Sequence, residues 1–264
     1  MPPVQLSRLR PQVNALMSHY GDEARFIKTL QLIFEQYTEK QNPTNAWMRI
    51  DPGIPAYFTS PVVMNELESA LEVLAKTRPQ ACIPLAEAMW QMTQYEPKKL
   101  AVFLLAHLGG EYREEFIRHV RDWYAPGISE ALVGEIIRQS SLRLEILSSR
   151  EWLNLLESWL LSEDKRTQKI GLRAVQNMVD NRAFQNLPVV FTLITPLYSD
   201  PRITLQKDLT ELTRKLIERS QPETASFLIS MVELNQKESV AALARKLLPL
   251  FDPFYQAEIK QAVV

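Results

Sequence analysis

An all-α solenoid of about six or seven HEAT-like helical hairpins is the fold class this sequence predicts, and three observations predict it. Two stretches look like copies of one another: Ser162-Glu163-Asp164-Lys165-Arg166 leading into Gln168-Lys169, and Ser199-Asp200-Pro201-Arg202 leading into Gln206-Lys207, with starts 37 residues apart. Helix starts near Pro61, Pro97, Ser129, Asp164, Pro201 and Lys237 recur at spacings of 36, 32, 35, 37 and 36 residues. Finally, apolar residues recur at helical spacing in nearly every segment, and none sustains the alternation of a strand. A repeat of ~35–45 residues built from paired helices is the mark of HEAT or armadillo solenoids, in which each hairpin buries its face on its neighbours. No linker divides the chain, so one domain over residues 1–264 is expected.

The elements follow in order. Leu6, Leu9, Val13, Leu16 and Met17 make the first apolar face. Asp22 then caps a longer helix carrying Phe26, Leu30, Ile33, Phe34 and Tyr37. Residues 41–60 break the pattern, because Asn42-Pro43, Asp51-Pro52-Gly53 and Ile54-Pro55 cannot continue a helix. This Pro-rich loop carries Trp47, Tyr57 and Phe58, and the expectation is a loop pinned to the solenoid by its aromatics. From Ser60-Pro61 the hairpins become regular, with serine as cap and proline at the first helical position. Arg78-Pro79 and Glu96-Pro97 open the next helices, Gly109-Gly110 is a stop, and Pro126-Gly127 separates the helix carrying Phe116, Val120 and Trp123 from the one over Ile128 to Ile137. Val189 to Ile194 is the most strand-like run but falls where a helix is due, so it is assigned to buried helix. Trp152 and Trp159, seven apart, belong to the core, and residues 237–264 form the closing cap repeat.

Composition narrows the function. A hydrophobic share of 46% supports a buried core, and 7 glycines argue against a turn-rich β protein. Thirty basic and 31 acidic residues leave a net charge of −1, which excludes a strongly basic nucleic-acid binder but not a basic face on a neutral chain. The single Cys82 excludes an internal disulfide framework and suits a reducing compartment. No apolar run approaches the ~20 residues of a membrane span. The N-terminal residues lack the apolar core of a signal peptide, so a cytoplasmic location is expected, with no membrane partner.

Familiar catalytic kits are missing. His19, His107 and His119 have no cysteine or carboxylate at metal-ligand spacing, so neither metal nor cofactor is expected. His107 and His119 are placed at helix surfaces or ends. There is no Gly-rich phosphate loop and no Gly-x-Ser-x-Gly elbow.

The order of several segments resembles the DNA alkylation repair family, the AlkD-like HEAT-repeat alkylpurine DNA glycosylases. Met89-Trp90 followed by Tyr95-Glu96 and Leu100-Ala101 is similar to the family's Leu-Trp, Tyr/Arg-Glu and Leu-Ala segments. Trp159 through Ser162-Glu163 to Lys169 resembles its Trp-x-x-Ser-Asp/Glu segment, and Tyr198 through Gln206-Lys207 to Arg214 its late segment. The resemblance covers about Ser60 to Met231. It implies a concave basic groove that holds duplex DNA and metal-independent cleavage of the N-glycosidic bond of alkylated purines. Aromatic rings there stabilise the cationic base and a carboxylate the oxocarbenium-like sugar.

Carried over position by position, the family's Trp-Trp-Asp-x-x-Asp segment falls on Trp123 and Tyr124 and ends on Ile128, where the carboxylate is expected. Glu130, two residues on, is the replacement candidate. The family's basic residue falls on Lys169, and its later tryptophan on Glu211, which is either a relocated carboxylate or a surface residue paired with Lys207 or Lys215. The implied catalytic set is therefore Trp123, Tyr124, Glu130 and Glu211. The implied phosphate contacts are Lys165, Arg166, Lys169, Arg173, Arg202, Lys207 and Arg214, with helix N-termini adding backbone donors. Two functions stay open: a duplex-DNA binder, with or without glycosylase activity, and an inactive HEAT-repeat scaffold for a protein partner.

Overall fold

The computed structural model describes residues 4–38, 54–125, 127–199, 205–235 and 238–263. The fold is all-α: among the described residues the only β-type pairing is an isolated bridge between Thr38 and Thr59. The chain forms two compact units, Met1–Ser140 and Ser141–Val264.

In the first unit the helices are α1 (Leu6–Ser18), α2 (Glu23–Tyr37), α3 (Pro61–Thr77), α4 (Pro79–Gln91), α5 (Tyr95–Ala106), α6 (Arg113–Trp123) and α7 (Glu130–Ser141). They form hairpins whose first helices, α1, α3 and α5, pack in one row, with α2 and α4 in a second. Local chemistry explains the starts. The Asp22 carboxylate accepts the Arg25 amide at 3.0 Å, and Pro61 and Pro79 occupy first-turn positions where no amide hydrogen is needed. Helix α5 is the centre of this unit, with every residue from Leu100 to Ala106 buried. That seven-residue stretch is apolar all round and must be covered on all sides, and α3, α4 and α6 all contact the helix.

Residues 54–60 are held against this unit. Tyr57 stacks on Phe34 at 4.9 Å, as an aromatic pin should. Sequence reasoning missed the second anchor: the buried Glu96 carboxylate accepts the amides of Tyr57 at 2.9 Å and Thr59 at 3.3 Å. Between them Phe58 adopts φ of 55°, in the left-handed region. Trp47 lies outside the described residues.

His107 does cap the end of α5, stacked on Phe103. His119 departs from the surface expectation and is 2% exposed. Burial is tolerated because both ring nitrogens have partners, the Glu115 carbonyl at 2.8 Å and Glu87 Oε1 at 2.9 Å.

The second unit contains α8 (Leu144–Leu147), α9 (Arg150–Leu160), α10 (Lys165–Asp180), α11 (Leu187–Ser199), α12 (Gln206–Arg219), α13 (Gln221–Asn235), α14 (Glu238–Leu247) and α15 (Pro253–Ala262). Again there are two rows, α10–α12–α14 and α9–α11–α13–α15. The strand-like Val189 to Ile194 run lies inside α11 with Val190, Leu193 and Ile194 buried, as assigned. Trp152 and Trp159 are core residues, edge to face at 6.0 Å. The predicted starts at Pro201 and Lys237 lie outside the described residues.

Candidate nucleic-acid interface

Helix α10 is amphipathic, with Ile170, Leu172, Ala174, Val175, Met178 and Val179 buried. Its other side carries Lys165, Lys169 and Arg173, all exposed and four residues apart, the spacing that aligns side chains along one strip. Arg166 stands off this strip and is half-buried.

Helix α12 packs beside α10 in fixed register. Gln176 donates to the Asp208 carbonyl at 3.1 Å, and Lys215 Nζ lies 2.6 Å from Asp180 Oδ2. Lys207, next to Asp208, is exposed at the start of α12. Among the described residues, Lys165, Lys169, Arg173 and Lys207 enter no ion pair.

Other predicted contacts are differently placed. Arg214 binds Glu211 through two guanidinium nitrogens at 2.6 and 3.2 Å, with Glu218 at 3.8 Å. The ion-pair partner of Glu211 is thus Arg214, three residues on, and that contact, with a smaller contribution from the charge of Lys215, holds the carboxyl below its ordinary range. Arg202 lies outside the described residues. The expected backbone donors at the start of α10 are also engaged. The Asp164 carboxylate accepts the amides of Arg166 and Thr167 at 3.3 and 2.9 Å and the Thr167 hydroxyl at 2.7 Å, contacts that hold its pKa low. The backbone donors at this helix start are therefore occupied, and the groups the helix leaves exposed are its cationic side chains.

The predicted aromatic segment lies in the first unit. Trp123 ends α6 at 9% exposure, stacked on Trp90 of α4 with centroids 4.3 Å apart and planes 8° from parallel. The His119 ring meets it edge-on at 5.2 Å. On the Trp90 ring sits the Lys98 ammonium, 4.6 Å from the centroid, which also donates to the Trp90 carbonyl. Burial lowers the Lys98 pKa. Tyr124 is half-buried, and its amide closes α6 on the Val120 carbonyl at 2.9 Å.

Gly127, at φ of 90°, then turns the chain, a backbone conformation that side chains oppose. The half-buried Ile128 follows, and Glu130 is exposed at the start of α7. Trp123, Tyr124 and Glu130 thus share one short corner of the first unit, whereas Glu211 belongs to the second. Sequence reasoning missed the part played by Trp90 and Lys98. The signal was their eight-residue spacing across a helix end, which brings an ammonium back over an indole.

Among the described residues no group of histidine, cysteine and carboxylate side chains is placed to hold a metal ion, and no helix is long and apolar enough to cross a membrane.

No curated protein matches the chain. Among solved structures it is similar to an archaeal HEAT-like repeats protein from Thermococcus onnurineus NA1, at 12% identity and a TM-score of 0.42, over 100% of this chain and 97% of that one. It is also similar to an engineered protein, at 16% identity and a TM-score of 0.34, over 76% of this chain and 90% of the other. The profile of the DNA alkylation repair enzyme family matches residues 58–247, from the Glu96-anchored turn to the end of α14. On that match, which spans both units and most of the chain, this protein belongs to the DNA alkylation repair enzyme family.

Proposed function

We propose that this family member binds duplex DNA through phosphate contacts from Lys165, Lys169 and Arg173 of α10 and Lys207 of α12. Arg166, Arg202 and Arg214 are secondary contacts. The observation that carries the reading is the strip of exposed cations on two packed helices, with no carboxylate partner among the described residues. Elsewhere many cations are matched locally: Lys99 with Glu68, Lys76 with Glu72, Arg138 with Glu135 and Arg245 with Glu238. A net charge of −1 gives no whole-molecule attraction to DNA, so binding depends on this local face.

Binding without base excision is the form we favour. Trp123 has a ring face against Trp90, Ile128 stands at the carboxylate position, and Glu211 is neutralised by Arg214. The exposed Glu130 is the candidate left for a catalytic carboxylate.

The test is affinity for duplex DNA against salt. Each phosphate contact contributes ~0.9 to the slope of log K on log salt, so replacing all four cations by alanine should flatten it by about 3–4. A wild-type affinity that ignores salt would sink the reading and favour a protein-binding scaffold. Release of methylated purine from alkylated duplex, abolished by Glu130→Gln, would instead establish excision.

A further inference from the structure

We propose that the outer face of Trp90 is a binding site for a small organic cation, and that the chain fills it with its own Lys98 side chain. Two neighbouring lysines have different surroundings. Lys99 forms an ordinary ion pair with Glu68 at 2.9 Å. Lys98 has no carboxylate partner among the described residues; its charge rests on the Trp90 ring and on the carbonyl of that same residue. An ammonium over an indole face is attracted by the electron density of the ring, more strongly as water is excluded.

The ring is well supported for this purpose. Trp123 backs it at 4.3 Å, nearly parallel, and His119 buttresses Trp123 from the edge. His119 is in turn fixed by Glu87 and by the Glu115 carbonyl. The face beneath Lys98 is therefore presented in one orientation, on a half-buried residue within reach of solvent.

Lys98 is an imperfect occupant of that face. Burial disfavours its charged form, and a strongly hydrated primary ammonium gives up more water there than a methylated nitrogen would. The chemistry that suits the face better is a cation without N–H donors, either a compact quaternary ammonium or a flat N-methylated aromatic ring. The site belongs to the first unit and the α10–α12 cations to the second, and the proposal does not depend on DNA binding.

The experiment uses the full chain, with Lys98→Ala to uncover the ring. Choline is compared with its uncharged isostere 3,3-dimethylbutan-1-ol, and 1-methylnicotinamide with nicotinamide, by calorimetry and tryptophan fluorescence. The expected result is that at least one cation binds Lys98→Ala about tenfold more tightly than its neutral counterpart and about tenfold more tightly than it binds wild type. Which cation does so distinguishes the compact from the flat ligand. Adding Trp90→Leu should abolish the gain.

Equal binding of cation and isostere, no gain over wild type in a folded variant, or retention of binding without Trp90 would each overturn the proposal. Should Lys98→Ala fail to fold, wild type answers the question by acetylation footprinting. Choline at high concentration should raise Lys98 labelling while the isostere does not, and unchanged labelling would refute the site.

Discussion

Arg219 of α12 binds Asn181, just past the end of α10, through an Nη1 donation to its carbonyl at 3.0 Å. The same guanidinium donates to the carbonyls of Val179 and, at 2.5 Å, Phe184. One side chain thus serves three acceptors at and beyond a helix C-terminus, where carbonyls lack partners and the helix dipole favours a cation. The contact locks α12 to α10 and so sets the spacing of the proposed DNA face.

Arg219→Ala should destabilise the chain by about 2–3 kcal/mol, since hydrogen bonds from a charged donor are lost at half-buried acceptors. Lys215→Ala, which breaks the more exposed pair with Asp180, should cost under ~1 kcal/mol. Urea unfolding of the two variants measures the difference, and equal losses would mean that the helix-end contacts do not govern this packing.

Glu96 makes a comparable prediction in the first unit. Glu96→Ala strands the Tyr57 and Thr59 amides and should cost at least ~2 kcal/mol. Glu96→Gln keeps one carbonyl oxygen as acceptor and should recover part of the loss. Thermal melts of both variants report this, with the Tyr57 ring signal in NMR showing whether the stack on Phe34 is released.

Alkaline pH should weaken the fold. Burial pushes the Cys82 thiol and the Tyr95 and Tyr198 phenols each up to about 12. Unfolded, a thiol ionises near ~8.5 and a phenol near ~10. Between those values and pH 12 the unfolded chain holds fewer protons than the folded one, so stability falls as pH rises. The contribution of these groups is fully present below about pH 8 and is lost through pH 12. Tyr198→Phe removes the hydrogen bond to Thr213 and should cost ~1 kcal/mol at neutral pH. That deficit should shrink above pH 10, and melting temperatures across the range provide the check.

Gly171 sets a steric limit on α10. A Cβ there would meet the Leu160 amide nitrogen and Cδ2 at 3.1 Å. Gly171→Ala gains up to ~1 kcal/mol of helix propensity but forces α9 and α10 apart, at a cost of about 1–3 kcal/mol. Net destabilisation in denaturant unfolding is expected.

The hairpins were legible because each is local: a capping residue, proline in the first turn and an apolar stripe suffice to specify α3, α10 or α11. The cations of α10 were legible for the same reason, since four-residue spacing fixes a common strip. What the sequence could not reveal depended on contacts between distant segments. Glu96 looks like a first-turn acid until Tyr57 and Thr59 bring their amides to it, and Arg214 has acidic neighbours on both sides, of which only geometry selects Glu211. His119 reads as a surface residue because its own helix gives no hint of Glu87, 32 positions earlier.

The parallel indoles of Trp90 and Trp123 have an optical consequence. At 4.3 Å their electronic transitions mix, so the pair should give an exciton couplet in circular dichroism that neither ring gives alone. Replacing Trp123 with phenylalanine would erase it. The first unit thus carries a built-in spectroscopic gauge of the α4–α6 contact, readable without any added dye.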